Sequence, residues 1–183
     1  MRRFVLVSIL ACLAGCAGSR EPVPADAPAP APTPAEATLT EVGQAAPDFT
    51  VATLDGGSFR LGEHRGRVVL VNWFATWCPP CKEEMPHLQT EVWERFGPRG
   101  LVMVSVAREE TPDVVAPFVA QRGLGWTFGV DPDRVAYARY AEAFIPRNTL
   151  IGPDGRIVFQ SEGFEMAEFA AMIAAIEGAL AGE

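Results

Sequence analysis

Two cysteines separated by two residues, Cys78 and Cys81, are the side chains best suited to chemistry in this 183-residue chain. Thiols at this spacing interconvert between a dithiol and a disulfide, which transfers two electrons. A structural disulfide is one alternative, but a bridge this short closes a very small loop and stabilises little. A zinc site is another, but zinc takes four ligands and only His64 and His87 supply imidazoles. The spacing therefore favours a redox pair, and we expect no metal.

The residues around this pair predict a strand followed by a helix. Residues 67–75 form an apolar run rich in Val, which is typical of a strand buried on both faces. Pro79 and Pro80 suit the first turn of a helix, where backbone amides lack partners. Cys78 then lies at a helix N-terminus, where free amides and the helix dipole lower the pKa of a thiol. We predict that Cys78 is an exposed nucleophile and that Cys81 resolves its mixed disulfide.

Strands and helices alternate along the rest of the chain, which predicts an α/β sheet. The helix after the cysteines is expected to run to residue 96, with a kink at Pro86. Hairpin turns are predicted at Asp55-Gly56-Gly57 and Pro153-Asp154-Gly155. Further strands are predicted at residues 101–107, 126–130, 149–151 and 156–160, and further helices at residues 112–122, 133–143 and 166–180.

The composition limits the class of protein. Hydrophobic residues make up 49% and charged residues 21%, which are ordinary values for a globular domain. The net charge of −8 disfavours binding to nucleic acid. Residues 17–41 contain six Pro and seven Ala without apolar periodicity, so residues 16–41 are expected to form a disordered tether. Residues 42–183 are then expected to fold as one domain.

The first residues are typical of an export signal. Arg2 and Arg3 precede an apolar run at residues 4–14, which is too short to span a membrane. Leu13-Ala14-Gly15-Cys16 resembles the lipobox of bacterial lipoproteins, which implies a signal peptide at 1–15 and a lipid on Cys16. A plain signal peptide with a chance cysteine is the alternative. By resemblance to Gram-negative sorting rules, Ala17 slightly favours the outer membrane.

Several motifs together resemble the TlpA/ResA-like membrane-anchored thioredoxins. They are Ala46-Pro47-Asp48-Phe49, Trp73-Phe74-Ala75-Thr76-Trp77-Cys78-Pro79-Pro80-Cys81, Ile145-Pro146 and Ile151-Gly152-Pro153-Asp154-Gly155. The resemblance runs from about residue 42 to residue 182. It implies a thioredoxin-like fold with a central mixed sheet flanked by helices, an N-terminal β-hairpin extension and a central insertion. It also implies a thiol:disulfide oxidoreductase that needs no cofactor.

The same resemblance assigns residues to a substrate surface. Pro146 is expected to be a cis-proline against the disulfide, and Ile145 is expected to offer backbone hydrogen bonds to a substrate chain. From the residues alone, Pro146 could equally be an ordinary trans turn proline. Trp77, Pro79 and Pro80 are expected around the nucleophile, and simple core packing is the alternative for Trp77.

The chain also departs from its relatives. Many of them read x-Thr-Phe after the cis-proline, whereas this chain has Arg147-Asn148-Thr149, so we expect an altered strand edge against the substrate. Asn72 stands where thioredoxins proper carry a buried Asp, and an amide cannot accept that proton, so a satisfied buried amide is expected. Relatives of the ResA kind have an acid where Glu84 lies. Glu84 either tunes the thiols and transfers protons or merely complements the helix N-terminus.

Three classes of protein are the alternatives for this chain: a thiol:disulfide oxidoreductase, a peroxidase and a binding module without activity. The resemblance implies an oxidoreductase on the periplasmic side of a bacterial membrane, and we expect a monomer. It would reduce disulfides of exported proteins or of apocytochrome c, with electrons from a membrane thiol-reductant donor. A peroxiredoxin-like peroxidase would need Pro at Val71 and Thr at Ala75, and neither is present. A non-catalytic binding module with the same fold would not need the intact cysteine pair.

Overall fold

In the computed structural model, which describes residues 31–182, seven strands form one sheet. The strands are β1 (Thr50–Thr53), β2 (Ser58–Arg60), β3 (Val69–Phe74), β4 (Val102–Arg108), β5 (Thr127–Asp131), β6 (Arg147–Ile151) and β7 (Ile157–Glu162). The main helices of the described residues are α1 (Pro79–His87), α2 (Pro112–Arg122) and α3 (Met166–Ala181). Single 3-10 turns occur at Leu61–His64, Gly97–Arg99 and Tyr137–Arg139.

The sheet is mixed, with the strand order β2-β1-β5-β4-β3-β6-β7. Strands β3, β4 and β5 are parallel, whereas β6 runs antiparallel to β3 and β1 runs antiparallel to β5. The β1–β2 pair is the expected N-terminal hairpin, and α2 with β5 forms the insertion between β4 and β6. The thioredoxin-like α/β fold is therefore confirmed, and every residue of β3 is buried as predicted.

The two faces of β3 belong to two hydrophobic clusters. Leu70 and Phe74 face the cluster that includes Met85 of α1 and Phe169 of α3. On the other face, Trp73 packs with aromatic rings from other parts of the chain, namely Phe49, Tyr137 and Tyr140. Because the side chains of a strand alternate, Asn72 faces the same side as Leu70 and Phe74. This places Asn72 under α1.

The helix that follows the cysteines extends to Phe96, but its hydrogen bonding changes along the way. After α1 it continues as a π-helical stretch, Leu88–Trp93, and ends in one α-helical turn, Glu94–Phe96. The change begins at Leu88, two residues after Pro86. Within this stretch, the Thr90 hydroxyl donates to the Pro86 carbonyl at 3.0 Å. Proline lacks an amide proton and crowds the carbonyl four residues before it, so Pro86 removes one hydrogen bond from α1.

The predicted helix at residues 133–143 is wrong, because only the 3-10 turn Tyr137–Arg139 forms there. The Asp131 carboxylate accepts the backbone amides of Ala136 and Tyr137 at 3.0 and 2.7 Å. Arg134 has a φ of 57°, in the left-handed region that interrupts a helix. A side-chain acceptor thus replaces the carbonyls that a helix would have used.

The ordered domain begins earlier than residue 42. Residues 33–41, here called the N-terminal segment, pack against it, with Ala37 and Thr40 buried. The Leu39 amide donates to the Tyr140 carbonyl at 2.9 Å, and the Glu142 amide donates to the Ala37 carbonyl at 2.8 Å. The expectation of a disordered tether is therefore wrong for these residues. Amino-acid composition cannot indicate the few backbone hydrogen bonds that they form with distant residues of the domain.

The predicted signal peptide at 1–15, the lipid on Cys16 and the sorting residue Ala17 lie outside the described residues. Within residues 31–182, no helix combines the length and hydropathy needed to cross a membrane.

Candidate active site

A disulfide joins Cys78 and Cys81 at the start of α1, with their Cα atoms 5.3 Å apart. Cys78 is the N-cap of the helix and has extended backbone, and Pro79 and Pro80 begin the helix as expected. The Cys81 amide donates to the Cys78 Sγ at 3.2 Å. The same amide can donate to a Cys78 thiolate once the disulfide is reduced, and the positive end of the helix dipole adds to this stabilisation.

The oxidised Cys78 is more buried than expected. Its residue surface is 2% exposed, and that of Cys81 is 0%. The Cys78 Sγ lies 3.7 Å from the carbonyl oxygen of Ile145. The Ile145–Pro146 peptide bond is cis, which confirms that prediction, and Pro146 is buried while Ile145 is half-buried. The expectation of an exposed nucleophile is therefore wrong for the disulfide form, because Ile145 approaches the sulfur.

Trp77 lies on the surface rather than in the core, with 56% of the residue exposed. The guanidinium carbon of Arg108 lies 5.9 Å from the centre of its ring and 5.1 Å from the centre of the Tyr137 ring. Pro79 is exposed and Pro80 is half-buried. An apolar surface that could contact a substrate chain therefore borders the disulfide.

A buried glutamate holds the turn between β3 and α1. Glu110 is 7% exposed, and its carboxylate accepts the Thr76 amide at 2.7 Å and also the Thr76 hydroxyl. These bonds fix the backbone two residues before Cys78. No local pattern in the sequence indicates this role of Glu110, because its partner Thr76 lies 34 positions earlier in the chain.

Glu84 is buried among amides, with 1% of the residue exposed. Its Oε1 accepts from the Asn148 Nδ2 at 2.6 Å, and its Oε2 accepts from the Asn72 Nδ2 at 3.0 Å. Burial raises the pKa of Glu84 to about 7, and the hydrogen bonds from Asn148 and Asn72 oppose that rise. Glu84 is therefore not a solvent-exposed charge at the helix end, and its protonation changes near neutral pH.

The register of the sheet explains how the amides reach this carboxylate. Asn72 of β3 pairs with Ser105 of β4 on one side and with Asn148 of β6 on the other. The Asn72 Nδ2 also donates to the Asn148 Oδ1 at 3.0 Å, and the Asn72 Oδ1 accepts from the Ser105 hydroxyl at 2.9 Å. That hydroxyl accepts from the Trp126 Nε1 at 2.9 Å. The prediction of Asn72 as a satisfied buried amide is confirmed.

Residues 147–149, where the sequence differs from its relatives, do not form the altered strand edge that was expected against the substrate. Arg147, Asn148 and Thr149 are all buried, at 5%, 2% and 4% exposure. Their side chains therefore do not form an edge against a substrate. Asn148 contacts Glu84, and strand alternation alone could have placed it on the same face of the sheet as the helix.

Among the described residues, no group of three or more His, Cys, Asp and Glu side chains is arranged to hold a metal ion. Of the predicted site residues, the structure brings together Cys78, Cys81 and Ile145, with Pro146 next to Ile145 in the chain. Trp77, Pro79 and Pro80 are next to the cysteines in the chain, and the Glu84 carboxylate contacts the two amides instead.

Residues 42–160 match the AhpC/TSA family. A curated relative, the thiol-disulfide oxidoreductase ResA of Bacillus thuringiensis (strain Al Hakam), is 31% identical over 128 residues, which are 70% of this chain and 73% of that protein. ResA of Bacillus subtilis (strain 168) is 30% identical over 116 residues, which are 63% of this chain and 64% of that protein.

A solved structure with the same fold is a thiol:disulfide interchange protein of the thioredoxin family from Chlorobium tepidum TLS. It superposes with a TM-score of 0.64 at 25% identity and covers 77% of this chain and 98% of its own. The solution structure of a Bacteroides thetaiotaomicron protein, assigned as a protein disulfide isomerase, superposes with a TM-score of 0.75 at 31% identity. It covers 79% of this chain and 92% of its own.

Proposed function

The chain belongs to the AhpC/TSA family and is a thiol-disulfide oxidoreductase of the ResA type, and we propose that it is a membrane-tethered reductase of protein disulfides. Its substrates would be disulfides in exported proteins or in apocytochrome c. The observation that carries the proposal is the Cys78–Cys81 disulfide at a helix N-terminus, with the Cys81 amide directed at the Cys78 sulfur.

The proposed reaction has two exchange steps. The Cys78 thiolate attacks one sulfur of the substrate disulfide, forms a mixed disulfide with that sulfur, and releases the other as a thiolate, which takes up a proton. Cys81 then loses its proton, attacks the Cys78 sulfur and displaces the second substrate thiolate, which is protonated in turn. The substrate gains two electrons and two protons, and the protein dithiol is oxidised. A membrane thiol-reductant donor restores the dithiol.

Two groups assist these steps in our proposal. The Cys81 amide and the helix dipole stabilise the attacking Cys78 thiolate. Glu84 begins the next helical turn after Cys81, and it accepts the proton that the resolving thiol must lose. A pKa of about 7 suits this role, because the carboxyl can both hold and release a proton near neutral pH.

The substrate is proposed to lie beside the disulfide. Ile145 offers backbone next to the Cys78 sulfur, with its carbonyl 3.7 Å from it, and Pro146 follows through a cis peptide bond. Trp77, Pro79 and Pro80 add an apolar surface at the helix start, which suits an unfolded or extended protein segment.

Insulin reduction tests the reaction. With dithiothreitol as the electron source, we expect the protein to accelerate the reduction, whereas a binding module would not. Cys81→Ser should accumulate mixed disulfides on Cys78, and Cys78→Ser should accumulate none. A chain without effect on insulin, or equal trapping by both variants, would contradict the proposal.

The reduction potential of the Cys78/Cys81 couple tests the direction of electron transfer. A value of about −270 mV would mark a reductant, and one of about −120 mV would mark an oxidant.

Attachment to the membrane is part of the same proposal, and the first residues of the sequence support it. A signal peptide at 1–15 would be removed, and lipid on Cys16 would hold the protein on the periplasmic side of a bacterial membrane, with the outer membrane favoured by Ala17. The protein would act there as a monomer. Labelled palmitate should enter the wild-type protein in a bacterial host and should not enter Cys16→Ser; equal labelling of both would contradict the anchor.

A further inference from the structure

One buried arginine contacts both the loop beside the disulfide and the N-terminal segment. Arg147 follows Pro146 directly and is 5% exposed. Its Nε donates to the carbonyls of Ala143 and Phe144, each at 3.0 Å. Those carbonyls precede Ile145, whose own carbonyl lies 3.7 Å from the Cys78 Sγ. Residues 143–145 are here called the substrate loop.

The other side of the same guanidinium contacts the N-terminal segment. Arg147 Nη1 donates to the Thr38 hydroxyl oxygen at 2.8 Å, and its Nη2 contacts the Pro34 carbonyl at 3.3 Å. The Nη2 also forms an ion pair with Glu162 of β7 at 3.1 Å. A planar guanidinium with several donors can satisfy these acceptors at once, which an ammonium group cannot do in the same geometry.

The substrate loop needs such support because its backbone is strained. Phe144 has a φ of 67°, in the left-handed region that a bulky residue rarely adopts. The Tyr137 hydroxyl lies 2.7 Å from the same two carbonyls, of Ala143 and Phe144, and donates to one of them at a time. Strained backbone persists where the surrounding structure fixes it from several sides. Arg147 is one of the groups that fix this backbone, and the N-terminal segment together with Glu162 holds Arg147 in place.

We propose that Arg147 is a positioning residue that couples the N-terminal segment to the substrate loop. The enzyme's affinity for a protein disulfide, but not the reactivity of its thiols, then depends on residues 33–41. This inference rests on the proposed function, because it assigns the loop to substrate binding. A protein substrate needs the backbone of the loop in place, whereas a small disulfide needs only access to the Cys78 sulfur.

The main test variant is Thr38→Val, which keeps the shape of the side chain and removes one acceptor of Arg147. It also removes the hydrogen bonds that the Thr38 hydroxyl donates to the Pro34 carbonyl at 2.9 Å and to the Glu162 carboxylate at 3.4 Å. The matched control is Thr50→Val, since Thr50 is an exposed threonine of β1 outside this cluster. For Thr38→Val, we expect the KM for insulin to rise about threefold to tenfold, because only the hydrogen bond to Arg147 leads to the substrate loop and one ordinary hydrogen bond corresponds to this range. The rate with glutathione disulfide and the reduction potential should not change.

Arg147→Lys and Arg147→Met should raise the KM for insulin further than Thr38→Val, because both remove the bonds to the substrate loop. If Arg147→Met does not fold, Arg147→Lys provides the comparison. The double variant Thr38→Val/Arg147→Lys should resemble Arg147→Lys alone, because the threonine acts through the arginine. Fully additive effects, an unchanged KM in Thr38→Val, or a parallel loss of rate with glutathione disulfide would each overturn the inference.

Hydrogen exchange separates this inference from the proposed function. In Thr38→Val, amide exchange should become faster in a peptide that covers residues 142–149 and should stay unchanged in a peptide from α1. Failure of the wild type to reduce insulin would remove the proposed function without changing this expectation. Unchanged exchange at residues 142–149 would overturn the coupling, whatever the enzyme reduces.

Discussion

Replacing Glu84 with Gln should change how the stability of the oxidised protein depends on pH. Glutamine has nearly the same shape as a protonated glutamic acid, so the variant mimics the neutral form at every pH. The oxidised protein is the right form to test, because its cysteines are joined and do not titrate. Any pH-dependent difference between the two proteins then reports on this carboxyl.

The size and sign of the effect follow from the pKa. Burial raises the pKa of Glu84 from 4.5 to about 7 in the folded protein. Between these pH values, the folded state binds more protons than the unfolded state, so the free energy of unfolding falls as the pH rises. The shift is equivalent to about 3 kcal/mol, which wild type loses between pH 4.5 and pH 8 and Glu84→Gln does not.

Urea denaturation followed by tryptophan fluorescence, at half-unit steps from pH 4.5 to pH 8.5, measures this difference. The matched control is Glu83→Gln, since Glu83 is an exposed glutamate next to Glu84. Its stability should run parallel to that of wild type. In Asn148→Ala, the carboxylate loses one donor, so the pKa of Glu84 should rise and the stability should fall over a higher pH range than in wild type.

Parallel stability curves for wild type and Glu84→Gln would refute the reasoning. They would mean that the two amides compensate the carboxylate fully for its burial, so that its pKa is not raised. A curve for wild type that rises with pH relative to Glu84→Gln would mean that the amides stabilise the ionised form more than burial penalises it.

Three further predictions concern the thiols and the N-terminal segment. In the reduced protein at neutral pH, Cys78 should react rapidly with iodoacetamide and Cys81 slowly, as read by peptide mapping; equal labelling would contradict the assignment of the nucleophile. Glu84→Gln should lower the pKa of one or both thiols by up to about one unit, because it removes a nearby negative charge, and thiolate absorbance against pH measures the pair. A chain that begins at Val42 should unfold at lower urea and show a higher KM for insulin than one that begins at Pro32, whereas equal values would make the N-terminal segment dispensable.

Much of the redox centre could be predicted from the sequence because its elements are local. An apolar run followed by Cys78 and two prolines specifies a buried strand and a helix start within about fifteen residues. The position of the nucleophile at the helix N-terminus follows from that order alone. The cis peptide bond at Pro146 did not follow from local pattern, and only the resemblance to relatives indicated it.

The sequence also identified Glu84 and Asn72 as residues of interest, but not what surrounds them. Asn148 reaches Glu84 from 64 positions along the chain, and Ser105 reaches Asn72 from 33 positions along. The pairing of β3 with β4 and with β6 decides these contacts. A shift of one residue in either pairing would have turned the Ser105 or the Asn148 side chain to the other face of the sheet. The raised pKa of Glu84 is therefore a property of the tertiary structure.

The N-terminal segment shows the same division. Its Ala and Pro content indicates a chain with too little apolar surface to fold alone. What orders residues 33–41 is a set of partners on the folded domain, with Arg147 lying 109 positions from Thr38.

The sequence by itself determined the dithiol and the elements that carry it, because local periodicity and turn residues decide which segments are buried. The tertiary structure decided which polar groups meet in the interior, because a buried charge or amide is tolerated only where distant strands supply its hydrogen bonds.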